Sequence, residues 1–164
     1  MTDMLSGIGI IQYDPWRPGL KHRTDWWCVL NVDKELSRYY RWWLEFEKHL
    51  HLQSPSWDAH ISIVRGEKPY PAYIEMWKKY QGKKVEFHYK HGEIRVDRSQ
   101  RTDPLAVNAT GGEYYFIDIE CPMLDEIRTE LGLITGFNYH MTIARSYEYC
   151  CRAENRKDRR QRKK

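Results

Sequence analysis

His60-Ile61-Ser62-Ile63 and His140-Met141-Thr142-Ile143 carry one pattern eighty positions apart: histidine, apolar, hydroxyl, apolar. On a β-strand successive side chains point to opposite faces. His60 and Ser62 therefore share one face, and Ile61 and Ile63 the other. The same phase pairs His140 with Thr142 and sets Met141 with Ile143. A strand burying its apolar face presents an imidazole beside a hydroxyl, and two such strands facing one cleft supply two proton-transfer groups and two hydrogen-bond donors.

Working outward, each tract closes a strand–helix–strand unit. In the first, 26–32 (WWCVLNV) reads as a buried strand. Asp33 is placed to cap a helix running to about Leu50, with Leu36, Tyr39, Tyr40, Trp43, Leu44 and Phe46 as its apolar stripe. The motif strand follows at 59–65. In the second unit, 114–119 (YYFIDI) is a strand, Pro122 opens a helix through Leu131 with Gly132 as its stop, and the motif strand covers 138–144. A further strand is expected at 7–13, a helix at 71–80 opened by Pro71, a hairpin from 84–89 and 93–97 around His91-Gly92, and a loop over 98–112. The repeat predicts two lobes related by a pseudo-twofold axis, with both motif strands lining the groove between them.

At 164 residues with 41% apolar content the chain suits one domain, here 1–151, with a genuine core. Residues 152–164 (RAENRKDRRQRKK) hold eight basic and two acidic side chains, so the net charge of +4 belongs to a solvated tail. The body before it carries −2. It is not a basic nucleic-acid-binding domain, although the tail offers a weak electrostatic contact to nucleic acid or another anionic partner. No apolar run reaches the roughly 18 residues a membrane span needs, and MTDMLSGIGI does not read as an export leader. Cys28, Cys121, Cys150 and Cys151 form no disulfide-like framework. Reduced thiols in a cytoplasmic protein are expected; oligomeric state is not legible.

Phosphodiester cleavage needs a base for the attacking oxygen, an acid for the leaving oxygen and donors for charge building on the phosphate. Histidine serves as either near neutral pH. His60 and His140 are the candidate acid and base, in an order the residues leave open, and Ser62 and Thr142 the candidate donors. Paired histidines also suit a metal, but a metal site wants further converging ligands, and here the residue two along is a hydroxyl. No metal or other cofactor is expected. Seven Trp and twelve Tyr exceed what a core this size demands. Tyr13, Trp77 and Tyr139 are the candidates for stacking on a base, and Arg65 and Arg145 follow their motif strands at the same offset.

The paired motif resembles that of the two-histidine (2H) phosphoesterase superfamily, over most of residues 5–147. The tracts QYDPWRPGLKHRTDWWCVLNVD, YYRWW and PSWDAHISIVRGEKP more closely resemble phage anti-CBASS nucleases, which degrade cyclic oligonucleotide messengers of a bacterial defence system. The resemblance implies an α+β bilobal fold, with two antiparallel sheets around a central cleft and helices outside. It implies catalytic groups at His60, Ser62, His140 and Thr142, and a base contact at Tyr13. It also implies metal-independent cleavage of 3′–5′ linkages in cyclic di- and trinucleotides, with the adjacent 2′-hydroxyl as nucleophile, in the host bacterial cytoplasm. The family's acidic and aromatic C-terminal base contacts have no counterpart in CCRAENRKDRRQRKK. Two other functions fit the residues: a 2′,3′-cyclic phosphodiesterase acting on RNA ends, and a non-catalytic nucleotide or RNA binder.

Overall fold

A computed structural model describes residues 3–20, 22–55, 57, 59–97 and 113–146. Among these described residues six strands and two α-helices run in the order β1 (Met4–Tyr13), β2 (Trp27–Val32), α1 (Lys34–Lys48), β3 (His60–Arg65), β4 (Lys84–Asp97), β5 (Glu113–Glu120), α2 (Pro122–Glu130) and β6 (His140–Ser146). The fold is thus mixed α and β. Where two separate antiparallel sheets were expected, the strands form one closed antiparallel sheet in the order β1-β2-β3-β6-β5-β4. Two seams join the halves. β1 and β4 pair from Met4↔Lys90 to Ile10↔Lys84, whereas β3 and β6 meet at Ile61↔Met141.

Cross-strand partners share a face, so the registers sort the side chains. One face carries Ile11, Leu30, Ile61, Met141, Ile117 and Phe87, all at most 1% exposed. These cluster with Tyr40 and Leu44 of α1 and Leu124, Ile127 and Leu131 at α2. The helices cross over between the halves: α1 lies against β6 and α2 against β3. Asp33 caps α1 as expected, its side chain accepting from the backbone N–H of Glu35. The apolar stripe is narrower than the pattern suggested, because Tyr39 and Phe46 face outward while Tyr40 and Leu44 are buried.

Two elements differ from expectation. The helix expected at 71–80 is a single 3₁₀ segment, Pro71–Met76, with no buried residue. Trp77 leaves it extended (ψ 134°) and Lys78 turns left-handed (φ 71°), so no apolar stripe holds a longer helix against the core. The hairpin expected around His91-Gly92 is instead one fourteen-residue strand. Its partners on β5 jump from Tyr89↔Ile119 to Ile94↔Ile117, and Gly92 takes φ 74° inside this irregularity. The chain bulges there without reversing, since Lys84–Lys90 pair with β1 and Ile94–Asp97 with β5. The loop expected over 98–112 and the tail 152–164 lie outside the described residues.

Gly7 lies across from Phe87 in the β1–β4 seam, where a β-carbon would overlap the end of that buried ring. Gly7→Ala is expected to destabilise the protein by about 1–3 kcal/mol through overpacking, read as a lowered Tm. In a double-mutant cycle, Phe87→Leu should cost less in the Gly7→Ala background than alone.

Candidate active site

The site is built by two copies of one strand arrangement. In the first half, Asn31 lies opposite His60, Val29 opposite Ser62 and Trp27 opposite Arg65. In the second, Asp118 lies opposite His140, Phe116 opposite Thr142 and Tyr114 opposite Arg145. Each motif strand carries one extra residue at the same place. Val64 pairs with Cys28 and Ser62 with Val29; Ala144 pairs with Tyr115 and Thr142 with Phe116. Ile63 and Ile143 are therefore matching β-bulges. Burial repeats as well: the first five residues of both strands read half-buried, buried, half-buried, buried, buried.

The bulge decides what the site contains. In an unbroken strand Arg65, five positions after His60, would point away from it. The extra residue reverses that phase and brings Arg65 onto the histidine face, and Ile143 does the same for Arg145. The sequence shows the shared offset of the two arginines, but strict alternation assigns them to the wrong side.

Across the β3–β6 seam, the antiparallel pair Ile61↔Met141 sets His60 opposite Thr142 and Ser62 opposite His140. The imidazoles are diagonal neighbours, a relation that spans about 7–8 Å. The four expected catalytic side chains thus converge on one face. Nδ1 of His140 lies 3.2 Å from the carbonyl of Asn138. A carbonyl only accepts, so Nδ1 is the donor in this bond.

Aromatic rings and arginines flank each imidazole. Beside His60 stand Trp27 and Trp57, with ring centres 5.9 and 6.3 Å away, and the two indoles lie 4.9 Å apart. Arg17 sits 4.6 Å over the Trp57 ring and Arg65 5.5 Å over Trp27. Beside His140, Phe116 lies 4.5 Å away edge-to-face, with Arg95 5.0 Å over its ring. Arg95 also donates from Nε and Nη2 to Asp118, while Asn31 donates to Gln12 at the matching place in the first half. The halves thus repeat in geometry and differ in charge.

The expected base-stacking residues do not join this face. Tyr13 is buried and pairs with Cys28 on the core side of the sheet, its ring 4.8 Å from Trp77. Trp77 packs also on Trp26 and donates to Asp14. Tyr139 immediately precedes His140, so strand alternation turns it to the core, where it is buried and donates to Asp125. Strand phase turns Tyr139 inward and, with the registers, sets Trp27 and Phe116 on the histidine face, two rings not singled out from the sequence. Trp57 lies outside any strand, and no periodicity marks it.

Among the described residues no group of three His, Cys, Asp or Glu side chains is arranged to hold a metal ion, and no helix is long and apolar enough to cross a membrane. The chain matches no protein-family profile, no curated protein and no solved structure.

Cys28 and Cys121 are buried free thiols. Burial pushes both thiol pKa values up, well above the ordinary range for Cys28. A raised pKa leaves little thiolate near neutral pH and so disfavours both as nucleophiles. Maleimide labelling near neutral pH, mapped by mass spectrometry, is expected to leave both unmodified in the folded protein and to modify both in denaturant.

Proposed function

We propose that this protein is a metal-independent phosphodiesterase that cleaves the 3′–5′ bonds of cyclic di- and trinucleotide messengers, and that its halves are the two lobes of a 2H phosphoesterase fold. One observation carries the reading: register, bulge and burial repeat around both motif strands, leaving His60, Ser62, His140 and Thr142 on one face. Structural histidines have no need of a matching hydroxyl, a matching bulge and a matching arginine.

In the proposed reaction one imidazole takes the proton from the 2′-hydroxyl beside the scissile phosphate. That oxygen bonds to phosphorus, the bond to the 5′-oxygen breaks, and the second imidazole protonates the departing oxygen. The products are a 2′,3′-cyclic phosphate and a free 5′-hydroxyl. Ser62 and Thr142 donate to the nonbridging oxygens as negative charge builds there, and Arg65 and Arg145 add positive charge. The aromatic walls beside each imidazole suit bases on either side of the phosphate. The body's net negative charge disfavours a long nucleic acid, whose groove is basic. Degrading such messengers would counteract CBASS immunity in a bacterial host cytoplasm.

The test is turnover, with EDTA present, of cyclic dinucleotides, cyclic trinucleotides and RNA ending in a 2′,3′-cyclic phosphate. Cleavage of the cyclic oligonucleotides is expected, and His60→Ala and His140→Ala should each lower kcat at least about a hundredfold. A requirement for added metal, or wild-type rates in either variant, overturns the mechanism. Turnover confined to RNA ends replaces the substrate.

Trp57→Ala and Phe116→Ala are expected to raise KM for a cyclic dinucleotide about tenfold each, the scale of one lost stacking contact. Their kcat should change far less. Tyr13→Phe should leave KM unchanged.

A further inference from the structure

Among the described residues Arg128 is the one cation with a fully buried side chain, 2% exposed on α2. Its guanidinium is spent on four acceptors. Nη1 donates to the carbonyl of Ile63 at 2.8 Å and to Glu67 at 3.0 Å, Nη2 donates to Glu67 at 2.6 Å, and Nε donates to the carbonyl of Ile134 at 2.6 Å. The ring of Phe137 lies 4.2 Å from its Cζ. A buried guanidinium is costly to desolvate, and four good bonds are what make it tolerable.

Two of those acceptors matter for chemistry. Ile63 is the bulged residue of β3, and a bulge interrupts the ladder that would otherwise satisfy its backbone groups. A buried carbonyl left unbonded is penalised. The Arg128 bond therefore stabilises the bulge that sets Ser62 and Arg65 on one face with His60. Ile134 and Phe137 belong to the segment entering β6, which includes Asn138, the residue whose carbonyl orients the His140 ring. One side chain from the second half thus bonds the backbone of the first motif and the backbone six residues before the second.

We propose that Arg128, held by Glu67, is a positioning residue that fixes the two halves of the active site relative to each other. The proposal rests on the phosphodiesterase reading for its kinetic consequence, while its geometric consequence stands apart from it. Arg128 touches no reacting atom. It acts through the Ile63 carbonyl and the approach to His140.

Arg128→Lys keeps the charge and loses the fork; Glu67→Gln leaves the guanidinium in place and weakens its tether at a partly exposed position. Both are measured in the full chain by circular dichroism, by steady-state turnover of a 3′–5′-linked cyclic dinucleotide, and by nitrogen-15 NMR of the imidazoles and backbone amides. The expected result for each folded variant is a fall in kcat of about tenfold to a hundredfold, the scale of a small misplacement, with KM little changed. The His140 imidazole and the Ser62 and Arg65 amides should shift, while the amides of Val85 and Phe87 stay in place. Folded variants with wild-type kcat and unmoved resonances overturn the proposal, even if their Tm is lower. If Arg128→Lys does not fold, Glu67→Gln decides. If the wild-type protein cleaves no cyclic dinucleotide, the functional reading fails separately, and the resonances alone decide: shifts at His140, Ser62 and Arg65 support the positioning role, and their absence refutes it.

Discussion

The two halves touch along their chemically important strands at one backbone pair, Ile61 opposite Met141. Everything on the candidate site face depends on that register. A slip of either strand by one residue would turn its histidine into the apolar face and its buried partner in that pair, Ile61 or Met141, out. The register is held from the other side, because Ile61 and Met141 are wholly buried beneath helices that cross from the opposite half. Hydrophobic burial thus specifies the placement of polar groups that contribute little to stability themselves.

Repetition of one register and one bulge explains the economy of the arrangement. Two short strands with one alternation and one bulge each supply an imidazole, a hydroxyl and an arginine, so the set occurs twice on one face. The halves nevertheless differ where chemistry can tell them apart. Gln12 with Asn31 is neutral; Arg95 with Asp118 is an ion pair. His60 stands among indoles and His140 beside a phenyl ring.

Sequence reading reached the motif strands because their information is local: alternation of two residue types over four positions. It reached the caps at Asp33 and Gly132 for the same reason, and the repeat because each half carries its own copy. It failed where pairing is remote. Nothing near Gly92 tells that β4 continues through it, because the partners that keep it extended lie in β1 and β5. Nothing near Ile63 announces a bulge, because the guanidinium that satisfies its carbonyl is 65 positions away. Tyr13 lies on the core side for a reason its own neighbours do not show, since an aromatic at a strand end suits a pocket and a core equally until its partner across the sheet, Cys28, is known. Tyr139 was open to correction from its own phase.

The closed sheet also has a kinetic side. Met4 finds Lys90, and Ile61 finds Met141, across more than seventy intervening residues in each case. Loop closure over such lengths must precede the reward of pairing, so sheets of this kind assemble slowly for their size. The first half can form β1, β2 and β3 as they leave the ribosome, but two of its strands keep unpaired edges until β4 and β6 arrive. During synthesis the nascent chain therefore passes through an interval in which exposed strand edges make it dependent on timely completion or on a chaperone.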